Sequence, residues 1–112
     1  MSRFKLVFFA PVASTQSILF KLFLSSPDTI GKIGLYKSCA FVSRGTGQFL
    51  PQEGASPNVG EVGKPEFIEE DRVEVLVTDN EDKNEVKRAV EYLKKIHPYE
   101  EVAYEVYRLE DI

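Results

Sequence analysis

Cysteine, histidine and an excess of basic residues are what this chain has little of. Cys39 is the one cysteine in 112 residues. No intramolecular disulfide can form, and a reducing compartment fits. His97 is the one histidine. A metal centre needs three or four ligands, so carboxylates would have to complete one here. Basic residues number 14 against 18 acidic, a formal charge of -4. The basic pairs Lys87-Arg88 and Lys94-Lys95 are punctuated by acids. A nucleic-acid surface normally carries a basic face, so no nucleic-acid partner is expected. Long apolar runs are missing too. Leu6 to Val12 is short, broken by Pro11, and followed by no cleavage pattern. Ile18 to Leu24 contains Lys21 and falls well short of a membrane span. No membrane partner is expected, and the chain reads as soluble and cytoplasmic.

What is present is an ordinary globular composition, 43% hydrophobic and 29% charged, in a length that suits one domain. Phe4 to Val12 is a nearly continuous apolar run and predicts a covered, central strand. Ser14 or Thr15 offers an N-cap to a helix carrying Ile18, Leu19, Leu22 and Phe23 on one face. Phe20 and Leu24 make that helix apolar elsewhere as well. Ser25-Ser26-Pro27-Asp28 stops it. Tyr36 to Ser43 alternates as a second strand. A Gly/Pro-rich loop is then expected at about 44–65, long enough to suggest a functional or interfacial role. In the third strand, Phe67 to Thr78, Val73, Val75 and Val77 share one side. Asp82 and Glu85 have the spacing of a capping box. Val86, Ala89, Val90, Leu93 and Ile96 form a helical stripe, which Pro98 ends, and a last strand follows. Strand-helix-strand-strand-helix-strand predicts an α+β, ferredoxin-like βαββαβ sandwich. Its four-stranded antiparallel sheet would carry two helices on one face, with the first and third strands central.

Two stretches carry chemistry-bearing residues outside the core stripes. Gly45-Thr46-Gly47, with Phe49 and Pro51 beyond, lacks the Walker ending and the GxGxxG spacing, so no nucleotide motif is present. Backbone amides there could still hold a ligand. His97-Pro98-Tyr99-Glu100-Glu101 ends a helix, where a histidine can cap carbonyls or face an interface. As a metal ligand or proton-transfer group His97 would need Glu100, Glu101 or Cys39 to converge on it. Those are weak metal candidates, because Cys39 reads as a small core residue. Tyr99, Tyr104 and Tyr107 near a predicted edge suggest an interface. No catalytic residue is assigned and no cofactor is expected.

Ile33-Gly34-Leu35-Tyr36-Lys37-Ser38-Cys39-Ala40-Phe41, Gly45-Thr46-Gly47-Gln48-Phe49-Leu50-Pro51, Glu53-Gly54-Ala55-Ser56-Pro57, Gly60-Glu61-Val62-Gly63 and His97-Pro98-Tyr99-Glu100-Glu101-Val102-Ala103-Tyr104 together resemble the CutA/PII-like domain of the YqfO proteins, in the Ngg-interacting-factor family. The resemblance covers roughly residues 4 to 109. It implies the ferredoxin-like fold and self-association, as a dimer or trimer. It implies no established enzyme activity. In longer members such a domain is inserted in a dinuclear-metal protein whose ligands lie in the flanking part, so no metal ligand carries over, and this chain is expected to stand alone as one domain, 1–112. Ser25-Ser26-Pro27-Asp28-Thr29 departs from the small Ala/Gly-rich turn of the family.

The expectation is a non-enzymatic, self-associating domain that binds a small ligand or docks on a protein. Its site would comprise Gly45, Thr46, Gly47, Phe49, Pro51, His97, Tyr99, Glu100, Glu101 and Tyr104. The rival readings are an enzyme centred on His97 and an adaptor without a ligand.

Overall fold

A computed structural model describes residues 1–80 and 82–112. Its elements run β1 (Ser2–Pro11), a single 3-10 turn (Val12–Ser14), α1 (Thr15–Ser25), β2 (Phe41–Phe49), β3 (Glu66–Asp79), α2 (Asn84–Ile96) and β4 (Tyr104–Arg108). The sheet order is β2-β3-β1-β4, and every pairing is antiparallel. The expected sandwich is therefore the fold, with β1 and β3 central.

Its core lies between the sheet and the two helices. Phe4, Leu6, Phe8 and Ala10 of β1 and Val73, Val75 and Val77 of β3 form the sheet side. Ile18, Leu19 and Leu22 of α1 and Val86, Ala89 and Leu93 of α2 close over them. Each such apolar side chain contributes about 1.5–3 kcal/mol by leaving water. The period-2 alternation of β3 continues beyond the valines at both ends. Asp71 and Asp79 are in phase with Val73 and Val77 and are buried like them.

Asp79 replaces the cap that the local sequence suggests for α2, while Asp71 ties α1 to the sheet through a side chain. Ser14 makes no side-chain cap to α1. The Thr15 hydroxyl instead donates to Asp71 Oδ2 at 2.6 Å. At α2 the Asp79 carboxylate accepts the backbone N–H groups of Lys83 at 3.0 Å and Val86 at 2.9 Å. Asp82 accepts the N–H of Asn84, while Glu85 pairs with Arg88 rather than reaching back. A buried carboxylate reaching in from the sheet displaces the capping box because it answers two otherwise orphaned helix donors at once.

The loop boundary at 44 is also corrected. β2 begins at Phe41, not Tyr36, and continues to Phe49, with Gly45 opposite Glu70 and Gly47 opposite Ile68. Glycine weakens a strand in isolation, but here β3 supplies a long template. The irregular part is 50–65. Residues 66–69 of β3 reach past the end of β1 and, with the far end of β2, form a projecting two-stranded ribbon. Residues 30–39, read partly as strand, instead make a short hairpin against the edge of β3. Cys39 sits there at intermediate exposure, not in the core.

Candidate functional site

The base of the ribbon, the 50–65 loop and the corner after α2 enclose a cavity of about 700 Å³. The loop is closed on itself by the Gly63 N–H donating to the Pro51 carbonyl at 2.8 Å. It is tied to the corner by the Ser56 N–H donating to Glu100 Oε1 at 2.7 Å. A second tie joins corner to sheet, where the Tyr99 hydroxyl donates to Glu70 Oε2 at 2.8 Å. Burial, and then the bond to Glu70, push the Tyr99 phenol well above its ordinary range. It stays a donor at every physiological pH.

Gly47 makes the second tie feasible. A Cβ on this residue would fall within the carboxylate of Glu70. Glu70 therefore lies across bare backbone to reach Tyr99, a close approach that only glycine allows. Phe9, Phe49, Leu50, Pro57 and Val59 supply apolar wall. The two guanidiniums at the cavity are both ion-paired: Arg44 Nε with Asp71 Oδ1 at 2.9 Å and Arg72 Nε with Glu74 at 3.5 Å. The Thr15 hydroxyl and then Arg44 hold the buried Asp71 carboxyl below its usual range.

Of the residues singled out by sequence, the structure gathers Gly45, Thr46, Gly47, Phe49, Pro51, Tyr99, Glu100 and Glu101 around this cavity. His97 stands behind it. The backbone N–H of His97 closes the last turn of α2 on Leu93. Its Nε2–H donates to the Phe9 carbonyl at 2.7 Å, and its Nδ1 accepts the Tyr99 N–H at 3.1 Å. Both ring nitrogens are thus committed to backbone, and burial lowers the affinity of the ring for a second proton. Tyr104 lies outside the cavity, on the β4 edge, with the Lys94 ammonium 5.1 Å from its ring centre. Cys39, His97 and Glu100 do not converge. Among the described residues no three His, Cys, Asp or Glu side chains group to hold a metal ion.

No family model matches the chain. It is 43% identical over 108 residues to the GTP cyclohydrolase 1 type 2 homolog of Halalkalibacterium halodurans, over 96% of this chain and 27% of that protein. A solved Bacillus cereus protein related to NIF3 superposes with TM-score 0.77 at 34% identity, over 98% of this chain and 26% of that one. CutA1 from Ehrlichia chaffeensis shares the fold at TM-score 0.65 and 14% identity, covering 98% of this chain and 83% of that one. GlnK from Bacillus subtilis, solved as an ATP complex, does so at TM-score 0.57 and 17% identity, covering 97% and 85%.

The chain is a YqfO-type CutA/PII-like domain of the NIF3 family. It spans about a quarter of the length of the curated relatives it matches. Within this YqfO-type domain, sequence reasoning missed Glu70, Asp71 and Arg44, and read Thr15 only as a candidate cap. Asp71 sits in Glu69-Glu70-Asp71-Arg72, which reads as a solvated charged run. The available signal was its phase, two residues before Val73 on the core side of the strand. Glu70, one residue out of phase, faces the cavity instead.

Proposed function

We infer that this domain is a self-associating, non-catalytic binding module whose ligand is a small, largely apolar molecule held between the 50–65 loop and the 97–103 corner. The observation that supports this reading most is the cavity of about 700 Å³, cross-tied by Tyr99–Glu70 and Ser56–Glu100. Its volume falls in the range that holds small-molecule ligands. Both ties run between segments far apart in sequence, so the pocket is braced before a ligand arrives, which reduces the ordering cost of binding. An enzyme centred on His97 is the weaker reading. A general base needs a free nitrogen at the reacting proton, and both nitrogens here are engaged with backbone.

Native mass spectrometry of gently purified protein tests assembly and bound ligand together. A defined oligomer with a small-molecule adduct is the expected result. The adduct should be lost in Gly47→Ala and reduced in Tyr99→Phe, while circular dichroism stays native. Assembly and binding left unchanged in both variants would remove this function.

A further inference from the structure

The Tyr99–Glu70 tie uses only half of the Glu70 carboxylate. Oε2 accepts the Tyr99 hydroxyl. Oε1 lies against the bare backbone of Gly47 and accepts no hydrogen bond among the described residues. Glu70 is half-buried, in a cavity walled by Phe9, Phe49, Leu50, Pro57 and Val59. Drawing a carboxylate out of water costs free energy that a single neutral hydroxyl offsets poorly. A glutamine at this position would make the same tie, because its amide oxygen accepts a hydroxyl with no charge to bury. The negative charge is what the tie leaves unexplained.

The other charges at the cavity share this balance. Glu100 gives one oxygen to the Ser56 N–H. Glu101 is exposed and has no hydrogen bond or ion pair among the described residues. The two arginines do not answer these acids. Arg44 is held by the buried Asp71. Arg72 reaches Glu74, which also meets Lys5, and its guanidinium stands 5.8 Å from the centre of the Phe9 ring. Asp71 and Glu74 lie outside the cavity lining, so each guanidinium is matched from behind while Glu70, Glu100 and Glu101 face inward. The unanswered charge of the cavity is negative, and its walls are apolar.

We propose that the cavity takes an organic cation, a protonated amine on an apolar body, with the ammonium against Glu70 and the body against Phe9, Phe49 and Leu50. This rests on the binding role inferred above and names the class of ligand. An ammonium offers three donors, and a hydrogen bond between two charged groups is stronger than a neutral one. Tyr99 already fixes the carboxylate, so little ordering remains to oppose binding. An anionic ligand meets three like charges and two guanidiniums that are already engaged.

The test uses one body with three heads: phenethylamine, phenethyl alcohol and hydrocinnamate. Each is titrated at neutral pH into the full chain and followed by heteronuclear NMR. Phenethylamine should shift the amides of Gly47 and Tyr99 and bind about tenfold or more tighter than the alcohol, with hydrocinnamate weakest. In Glu70→Gln the tie to Tyr99 is kept, so the amide spectrum should remain native while the amine falls to the affinity of the alcohol. Glu110→Gln removes an exposed acid outside the cavity and should leave the preference intact. A preference that survives Glu70→Gln, or equal binding of all three probes at the same amides, overturns the cationic head and leaves the binding cavity standing. Tightest binding by hydrocinnamate overturns it too and assigns the recognition to Arg44 and Arg72. No shift at the cavity amides from any probe at millimolar concentration overturns the cavity reading as well.

Discussion

At the scale of the residue, His97 carries a pH dependence whose direction is fixed by its surroundings. Its folded-state affinity for a proton is lowered, chiefly by burial, against the raising influence of the Phe9 carbonyl and Glu70. The unfolded chain takes up the proton near pH 6.5, about the ordinary value. Above that pH both states are neutral and the contribution of His97 to stability is whole. As pH falls below it, the unfolded state binds a proton that the native state refuses, and stability is lost. Protonated Nδ1 would also have to give up the Tyr99 N–H. Urea denaturation at pH 7.5 and 5.5 should therefore show the wild type weaker at the lower pH. In His97→Asn that part of the difference should disappear. At pH 7.5 the variant should be about 1 kcal/mol less stable, the net worth of the hydrogen bond lost at the part-buried Phe9 carbonyl. An equal loss of stability on acidification in both proteins would locate the titrating group elsewhere.

At the scale of the element, the instructive cases are the strand ends. The valine stripe of β3 was legible as a period of two, and so was the helical stripe of α2. What was not legible is that Asp71 and Asp79 continue the valine stripe, because a charged residue is read as solvated until something buried is seen to answer it. Thr15 and Arg44 answer Asp71; the first turn of α2 answers Asp79. Asp79→Ala should thus cost about 1–2 kcal/mol by removing a cap, and the Asp82→Ala change less, since Asp82 is solvent-exposed. Thermal melts of the two variants compare them directly, and an equal effect would restore the capping box as the main device. The end of β2 was misread for a related reason. Gly45 and Gly47 lower local strand propensity, but Gly47 is required by the Glu70 side chain lying over it. Gly47→Ala should push that carboxylate off Tyr99. The phenol proton of Tyr99 should then titrate at lower pH, a change that ultraviolet difference spectroscopy of the tyrosines reads.

At the scale of the molecule, the fold and the site are made by different parts of the chain. The buried cluster draws on residues 4–30 and 73–93, and its periodicities are local, which is why the sandwich could be read from sequence. The cavity draws mainly on 43–59, 70–72 and 99–103. Its ties span 29 residues for Tyr99–Glu70 and 44 for Ser56–Glu100, and no local pattern encodes them. The Gly-rich loop and the His-Pro corner could each be marked as unusual, but not as neighbours. The shape of the protein shows the same division. Its radius of gyration is 15.0 Å, against about 13 Å for a compact chain of this length, because the ribbon projects from the core. Replacing residues 51–64 with a tight two-residue turn should therefore remove the binding site and leave the folding unit. Such a variant should melt cooperatively within about 8 °C of the wild type, equivalent to a loss of about 1–2 kcal/mol, since the deleted loop contributes nothing to the buried cluster and a shorter loop closes at lower entropic cost. Its ligand adduct should be absent. A variant that fails to fold would show that the loop belongs to the core, and one that folds and still binds would move the site away from the ribbon.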